Sequence, residues 1–228
     1  MKKKFLSIGI EMPGAVGEHI EFSSERSLFD GDVILFYPHF DDYMAVEDYA
    51  GKPLLTQEDS VQAAQDIKHW RSELEAAIQS GKVVFIYLAK PAEVYHYTGA
   101  KDFSGTGKNR ASTVYVDALN SYDSLPINLT GMTPKSGKSI AEIAHMSAMS
   151  SFWSEFGSIS AYQVHFSLGQ GDDFLGTKGR EKAVGTVIRK GSGVLVLLPP
   201  AEWDVDELTY TRGKKVYWRK SSVVLGNK

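Results

Sequence analysis

Residues 60 to 91, SVQAAQDIKHWRSELEAAIQSGKVVFIYLAKP, constrain this chain more than any other stretch. Val61, Ala64, Ile67, Trp70, Leu74, Ala77 and Ile78 recur three or four apart, with Gln62, Asp66, Lys68, His69, Arg71, Glu73 and Glu75 between them. That period belongs to an α-helix with one apolar stripe, the side that lies on a sheet. Thr56 with Asp59 three residues on is a capping pair, so the helix is expected to begin near Gln57. Running to Ser80 it would hold about 24 residues and measure roughly 36 Å. Gly81 stands where a left-handed residue ends a helix, because glycine has no Cβ to clash there. Residues 83 to 88 are then apolar or aromatic without interruption, the mark of a strand covered on both faces in a mostly parallel sheet.

The flanking chain supplies partners for that unit. Residues 5–12 and 33–37 read as strands closed by Pro13-Gly14 and by Pro38, and residues 19–22 as a short extended piece. Residues 39–59 read as an acidic loop. Residues 91–138 read as a loop-rich excursion, with one strand near 113–119 inside it and a polar, turn-rich stretch after Asn120. A helix is expected from Ser139 to about Phe152. A strand is expected at 159–168 from its alternation. Two strands around Lys190-Gly191-Ser192-Gly193 are expected at 183–200, and a terminal hairpin or tail at 209–228. No repeat or linker divides the chain, so residues 1–228 are read as one α/β domain. The expected architecture is a Rossmann/flavodoxin-like three-layer sandwich, its central sheet mostly parallel with antiparallel strands added toward the C-terminus.

Composition excludes several chemistries. There is no cysteine, hence no disulfide, zinc–thiolate site, iron–sulfur cluster or thiol nucleophile. A net charge of -3 gives no electrostatic argument for nucleic acid as the main partner. No run approaches the ~20 apolar residues of a membrane span. The basic start MKKK meets Glu11 and Pro13 too early for a signal peptide. The expectation is a soluble cytoplasmic protein with no membrane partner and no cofactor.

Three segments together resemble a known fold family. They are the helix ending in Gly81 before residues 83–88, the run Leu28…Asp30-Gly31-Asp32-Val33-Ile34, and the run from Ala183-Val184-Gly185 through Gly191-Ser192-Gly193 to Pro199. The chain is similar to the class I glutamine-amidotransferase-like (ThuA-like, Rossmann-like) domain. It also resembles bacterial proteins of unassigned activity that share Trp153-Ser154-Glu155-Phe156-Gly157 and Leu197-Leu198-Pro199-Pro200. The likeness covers most of residues 5 to 200. It implies a nucleophilic cysteine on a tight turn just after the central strand. Here that segment is Leu88-Ala89-Lys90-Pro91-Ala92-Glu93, without cysteine, serine or a glycine elbow. Glutaminase chemistry therefore lacks the group that forms its thioester. The family often carries a further helix, so the chain is expected to be a shortened form.

Other motifs are weaker. Gly131 to Ser139 imitates a phosphate loop, but five residues separate its glycines instead of four, and Pro134 removes a backbone donor; a polar turn before a helix cap is expected. Gly169, Gly171 and Gly176 lack dinucleotide spacing. The six histidines show no metal-binding spacing, so no metal site is expected. His39 with Asp41 and Asp42 follows a strand carboxyl end, where open α/β sheets bind ligands. With His165 these are the candidate catalytic residues of a hydrolase-like reading. Lys90, Lys108 and Arg110 are the candidate cations for an anionic ligand, the latter two in a glycine-rich loop that offers backbone donors. Arg212, Lys214, Lys215, Arg219, Lys220 and Lys228, with Tyr217 and Trp218, form a basic tail that admits a nucleic-acid accessory role. A fold that normally carries a nucleophile, here without one, leads to a non-catalytic domain that binds a protein partner or a small anionic ligand.

Overall fold

The computed structural model of the chain describes residues 4–10, 17–88, 91–106, 108, 110–139, 160–166, 172–173 and 186–197; along 130–139, 160–166, 172–173 and 186–187 only the backbone is described. The strands are β1 (Phe5–Ile8), β2 (Glu18–Ile20), β3 (Val33–Phe36), β4 (Ala45–Tyr49), β5 (Lys52–Leu55), β6 (Val83–Ile86), β7 (Glu93–Ser104), β8 (Ala111–Asn120), β9 (Leu129–Ser139), β10 (Ser160–Phe166), β11 (Asp172–Asp173), β12 (Thr186–Lys190) and β13 (Gly193–Leu197). Among the described residues one α-helix, α1 (Gln57–Gln79), lies between β5 and β6. The architecture is mixed α/β.

The main sheet has seven strands in the order β11-β12-β13-β6-β3-β1-β2. From β13 to β2 every pairing is parallel, while β12 and β11 add to the edge in antiparallel fashion. Register sorts the side chains into rows. Leu6, Ile34, Val84 and Leu195 form one row, and Ile8, Phe36, Ile86 and Leu197 another, all essentially inaccessible. They share one apolar core with Ala63, Ile67, Trp70, Leu74, Ala77 and Ile78 of α1. On the opposite face Ser7, Leu35, Phe85 and Val196 line up and are buried as well. The uninterrupted apolar run of β6 follows from this, since both its faces lose contact with water.

The helix starts as its sequence requires. Thr56 is the N-cap: its Oγ1 accepts from the Asp59 N–H at 3.0 Å and donates to the Asp59 carboxylate at 2.8 Å. It stops one residue before the expected end, with Ser80 as C-cap and Gly81 at φ +93°. The stripe is shifted at its beginning. Val61 is 55 % exposed and the buried positions there are Ser60 and Ala63. Asp66, placed by its charge on the wet side, is buried, because Tyr43 donates to it at 2.7 Å and Gln62 at 2.9 Å. Trp70 sits at the centre of the core and donates its indole N–H to the Phe22 carbonyl at 2.6 Å.

Three loop readings are corrected. Residues 45–55 form the β4–β5 hairpin, turned by Ala50 at φ 51° and Gly51 at φ 80°, a pair of left-handed residues that suits a tight hairpin. Residues 93–104, read as loop, form β7, which pairs with β8 (the expected strand near 113–119, extended to 111–120) in a second sheet of order β4-β5-β7-β8. The register skips between Tyr97 and Lys101, where Gly99 adopts φ +80°, so the glycine marks a bulge. β4 is exposed throughout and the outer part of the β7–β8 pair is exposed on both faces, so neither shows the alternation by which a half-buried strand is read. The imitation phosphate loop 131–139 belongs to β9, paired with β10, and forms neither an anion cradle nor a helix-capping turn. Of the expected helix at 139–152, residues 140–152 lie outside the described residues, as do 209–228. Among the described residues no helix is long and apolar enough to cross a membrane.

Candidate functional site

The sheet order makes the carboxyl ends of β1 and β3 the topological switch point of the sheet. From β1 the chain turns to β2 on one side, whereas β3 leads to β6 on the other. Where connections diverge in this way, a cleft opens outside the strand carboxyl ends. Gly9 follows β1, and Tyr37 and His39 follow β3. The Tyr37 N–H continues the ladder to the Ile8 carbonyl at 3.0 Å, and the Gly9 N–H donates to the Ile20 carbonyl at 3.3 Å.

His39 is the central side chain of this crevice. Its ring is buried, stacks on Tyr37 at 5.3 Å between centroids and packs on Phe22 at 5.1 Å. Gly9 makes room for it. A Cβ at Gly9 would lie 2.5 Å from the Tyr37 carbonyl oxygen and 2.8 Å from both Cδ2 and Nε2 of His39, and its φ is +67°. The Asp41 backbone N–H donates to His39 Nδ1 at 3.1 Å. Since Nδ1 accepts, the neutral ring carries its proton on Nε2. That Nε2–H is shut off from solvent and has no hydrogen-bond partner among the described residues.

The groups around it are donors or lie at the rim. Burial, with the Asp41 charge adding to it, raises the Tyr37 hydroxyl pKa, and burial raises that of Tyr122, with Tyr37 contributing. Both phenols stay protonated at neutral pH. The Asp41 carboxylate is mostly exposed and 3.6 Å from Nδ1, beyond hydrogen-bond length. Asp42 is exposed as well and acts on Tyr43, whose hydroxyl is taken up by Asp66.

The remaining candidates belong to other elements or lie outside the described residues. His165 lies in β10, opposite Gly131 in the separate two-stranded sheet. Lys108 and Arg110 are exposed at the tip of the β7–β8 hairpin, where the Arg110 guanidinium covers the Phe103 ring at 4.2 Å. Lys90, the glycines at 169, 171 and 176 and the basic tail lie outside the described residues. Gly9, Tyr37 and Tyr122 escaped the sequence reading. Gly9 gave no signal because a left-handed φ is not visible in an apolar strand end, and Tyr37 read as the last apolar residue of its strand.

A second histidine adjoins the same strands. His19 Nδ1 is 3.1 Å from the Ile10 carbonyl and 3.4 Å from Ser7 Oγ, and its Nε2 is 3.5 Å from Glu21. The trio copies the composition of a hydrolase triad. Ser7 is inaccessible in the middle of β1, however, and no substrate carbonyl can reach it. Two cavities, of about 180 and 380 Å³, open at the other end of the sheet around Phe29, Ser80 and Lys82. The Lys82 ammonium there already donates to the Leu28 and Phe29 carbonyls. Among the described residues no three His, Asp or Glu side chains gather to hold a metal ion. Compared with protein-family models, with characterised proteins and with solved structures, the chain matches none.

Proposed function

We propose that this chain is a non-catalytic α/β binding domain that takes a small ligand, anionic or rich in acceptor oxygens, in the crevice between β1 and β3. One observation carries the reading: the buried Nε2–H of His39 lacks an acceptor among the described residues. An N–H stripped of water and left unpaired costs about 1–3 kcal/mol, which a ligand oxygen at that point would return. The protonated phenol of Tyr37, stacked on the His39 ring, adds donor character to the same end of the sheet.

The parallel order β2-β1-β3-β6-β13 supports a flavodoxin-type arrangement, whose ligand site lies at this switch point. Burial of Ser7, Leu35, Phe85 and Val196 on the face away from α1 supports the three-layer form of that fold. Kinship with the amidotransferase-like domains is part of the proposal and rests on the sequence resemblance. The hydrolase-like alternative loses support, because His39 Nδ1 already accepts the Asp41 backbone N–H and Nε2 carries the ring proton, which leaves neither nitrogen free to act as a base beside Asp41 or Asp42.

Thermal denaturation against a panel of phosphate, carboxylates, nucleotides and sugar phosphates tests the reading. A ligand at a hundred times its dissociation constant adds about 2.7 kcal/mol. For a domain of this size that raises the melting temperature by roughly 5–10 °C. His39→Leu, which keeps the apolar packing and deletes the N–H, is expected to melt like the wild type and to lose the shift. A panel that leaves the wild type unmoved, or moves both proteins alike, overturns the reading.

A further inference from the structure

Among the described residues the four-stranded sheet ends in an open edge. β8 is its outermost strand and pairs with β7. Ala111, Ser112, Thr113, Tyr115, Asp117 and Ala118 are exposed. The Tyr115 carbonyl is turned toward β7, where it accepts from Thr98 Oγ1 at 3.1 Å. Backbone groups alternate sides along an antiparallel strand, so those of Ser112, Val114 and Val116 point to the open side.

Natural sheets blunt such edges with lysine, proline or a bulge, because unpaired backbone recruits another strand. β8 uses none of these. Its run from Ala111 to Val116 is uncharged and free of proline, and the bulge of this pair falls on β7. The charges stand at the two ends and have opposite sign. Lys108 and Arg110 precede the run, while Asp117 and, after the strand, Asp123 follow it. Two copies laid antiparallel set the basic end of each against the acidic end of the other, twice. Laid parallel, they would stack like charges, which is unfavourable across strands.

We propose that β8 is a self-association edge whose occupant is β8 of a second copy, antiparallel about a two-fold axis at Val114. The Val114 N–H and C=O are exchanged between copies, and Ser112 stands opposite Val116. Arg110 falls opposite Ala118 of the second copy, while Asp117, one position on, points to the other face of the sheet, so the basic and acidic ends attract as opposite charges without a direct pair. The contact is isologous and closes as a dimer, joining two four-stranded sheets into one of eight. It uses no residue of the crevice between β1 and β3.

Sedimentation equilibrium of the full chain is the test, with a reversible monomer–dimer equilibrium expected at or below about 100 µM, a modest interface of this kind. Val114→Pro removes an N–H that faces outward and leaves the β7 ladder intact, so it is expected to give a monomer with unchanged melting. Arg110→Asp or Asp117→Arg alone is expected to weaken the dimer about threefold, and the two together to restore it. A wild type that stays monomeric at that concentration overturns the proposal. So does a dimer that survives Val114→Pro, or single reversals that the double reversal does not repair. If Val114→Pro unfolds, the reversal series decides alone.

Discussion

Gly9→Ala puts the crevice geometry to its hardest test, because two separable costs meet at that residue. The first is backbone. At φ +67° an added Cβ costs about 1–2 kcal/mol. The second is space. The new methyl would stand 2.5 Å from the Tyr37 carbonyl oxygen and 2.8 Å from the His39 ring, and the ring is held by Tyr37, Phe22 and the Asp41 N–H. Overpacking of this kind costs about 1–3 kcal/mol. Together the loss is about 2–5 kcal/mol, and with a urea slope near 3 kcal/mol/M the unfolding midpoint falls by roughly 1 M. Gly51→Ala is the internal control, since Gly51 has φ +80° and nothing within 4 Å of its Cβ position. It bears the backbone cost alone. A second cycle adds His39→Ala, which empties the space beside residue 9. In that background Gly9→Ala should cost on the order of 1 kcal/mol less, a coupling expected only of residues in contact. If Gly9→Ala costs no more than Gly51→Ala, or the two substitutions at the crevice are additive, His39 does not sit against Gly9 and the site as described is wrong.

Other outcomes follow from the core and the helix. Trp70→Phe removes the indole bond to the Phe22 carbonyl and part of a fully buried ring, and is expected to lower unfolding stability by about 2–4 kcal/mol, measured by urea titration. Thr56→Ala deletes the cap of α1 and should cost about 1 kcal/mol, read by the same titration; no loss would mean that the Asp59 N–H finds another acceptor. Burial raises the Asp66 carboxyl pKa above its unfolded value, with Tyr43 and Gln62 opposing it. Its contribution is therefore fully present below the unfolded pKa and is lost as pH rises through the folded one. Asp66→Asn is expected to be most stabilising relative to the wild type near neutral pH, and the difference should shrink as the solution is acidified. A difference that grows on acidification would refute the sign.

Much of the main sheet was legible because its signals are local. Thr56 and Asp59 fix the start of α1 within one turn, and Gly81 fixes its end. Residues 83–88 and 193–197 betray burial on both faces by having no polar side to show. Hydrophobic periodicity failed where burial depends on distant partners. Asp66 is inside since Tyr43, 23 positions earlier, reaches it. Val61 is outside because, among the described residues, nothing covers the first turn on that side. Of the second sheet only β8 was foreseen, as the strand near 113–119; β4, β5 and β7 were missed because β4 and the outer part of β7 are held mainly by backbone pairing, which leaves no pattern in side chains that face water on both sides.

The site divides along the same line. The sequence by itself determined that no cysteine chemistry is possible, that a helix–glycine–strand unit anchors an α/β chain, and that His39 follows a strand carboxyl end. Only the tertiary structure decided that β1 and β3 are neighbours, that Gly9 lies under the His39 ring, that Asp42 is exposed and His165 falls in a separate two-stranded sheet, and that Nε2 is left without an acceptor among the described residues. Strand order and hydrogen-bond satisfaction are properties of chain segments brought together across long sequence distances. Helix caps and apolar runs depend on a few consecutive residues, which is why a sequence displays the second kind and conceals the first.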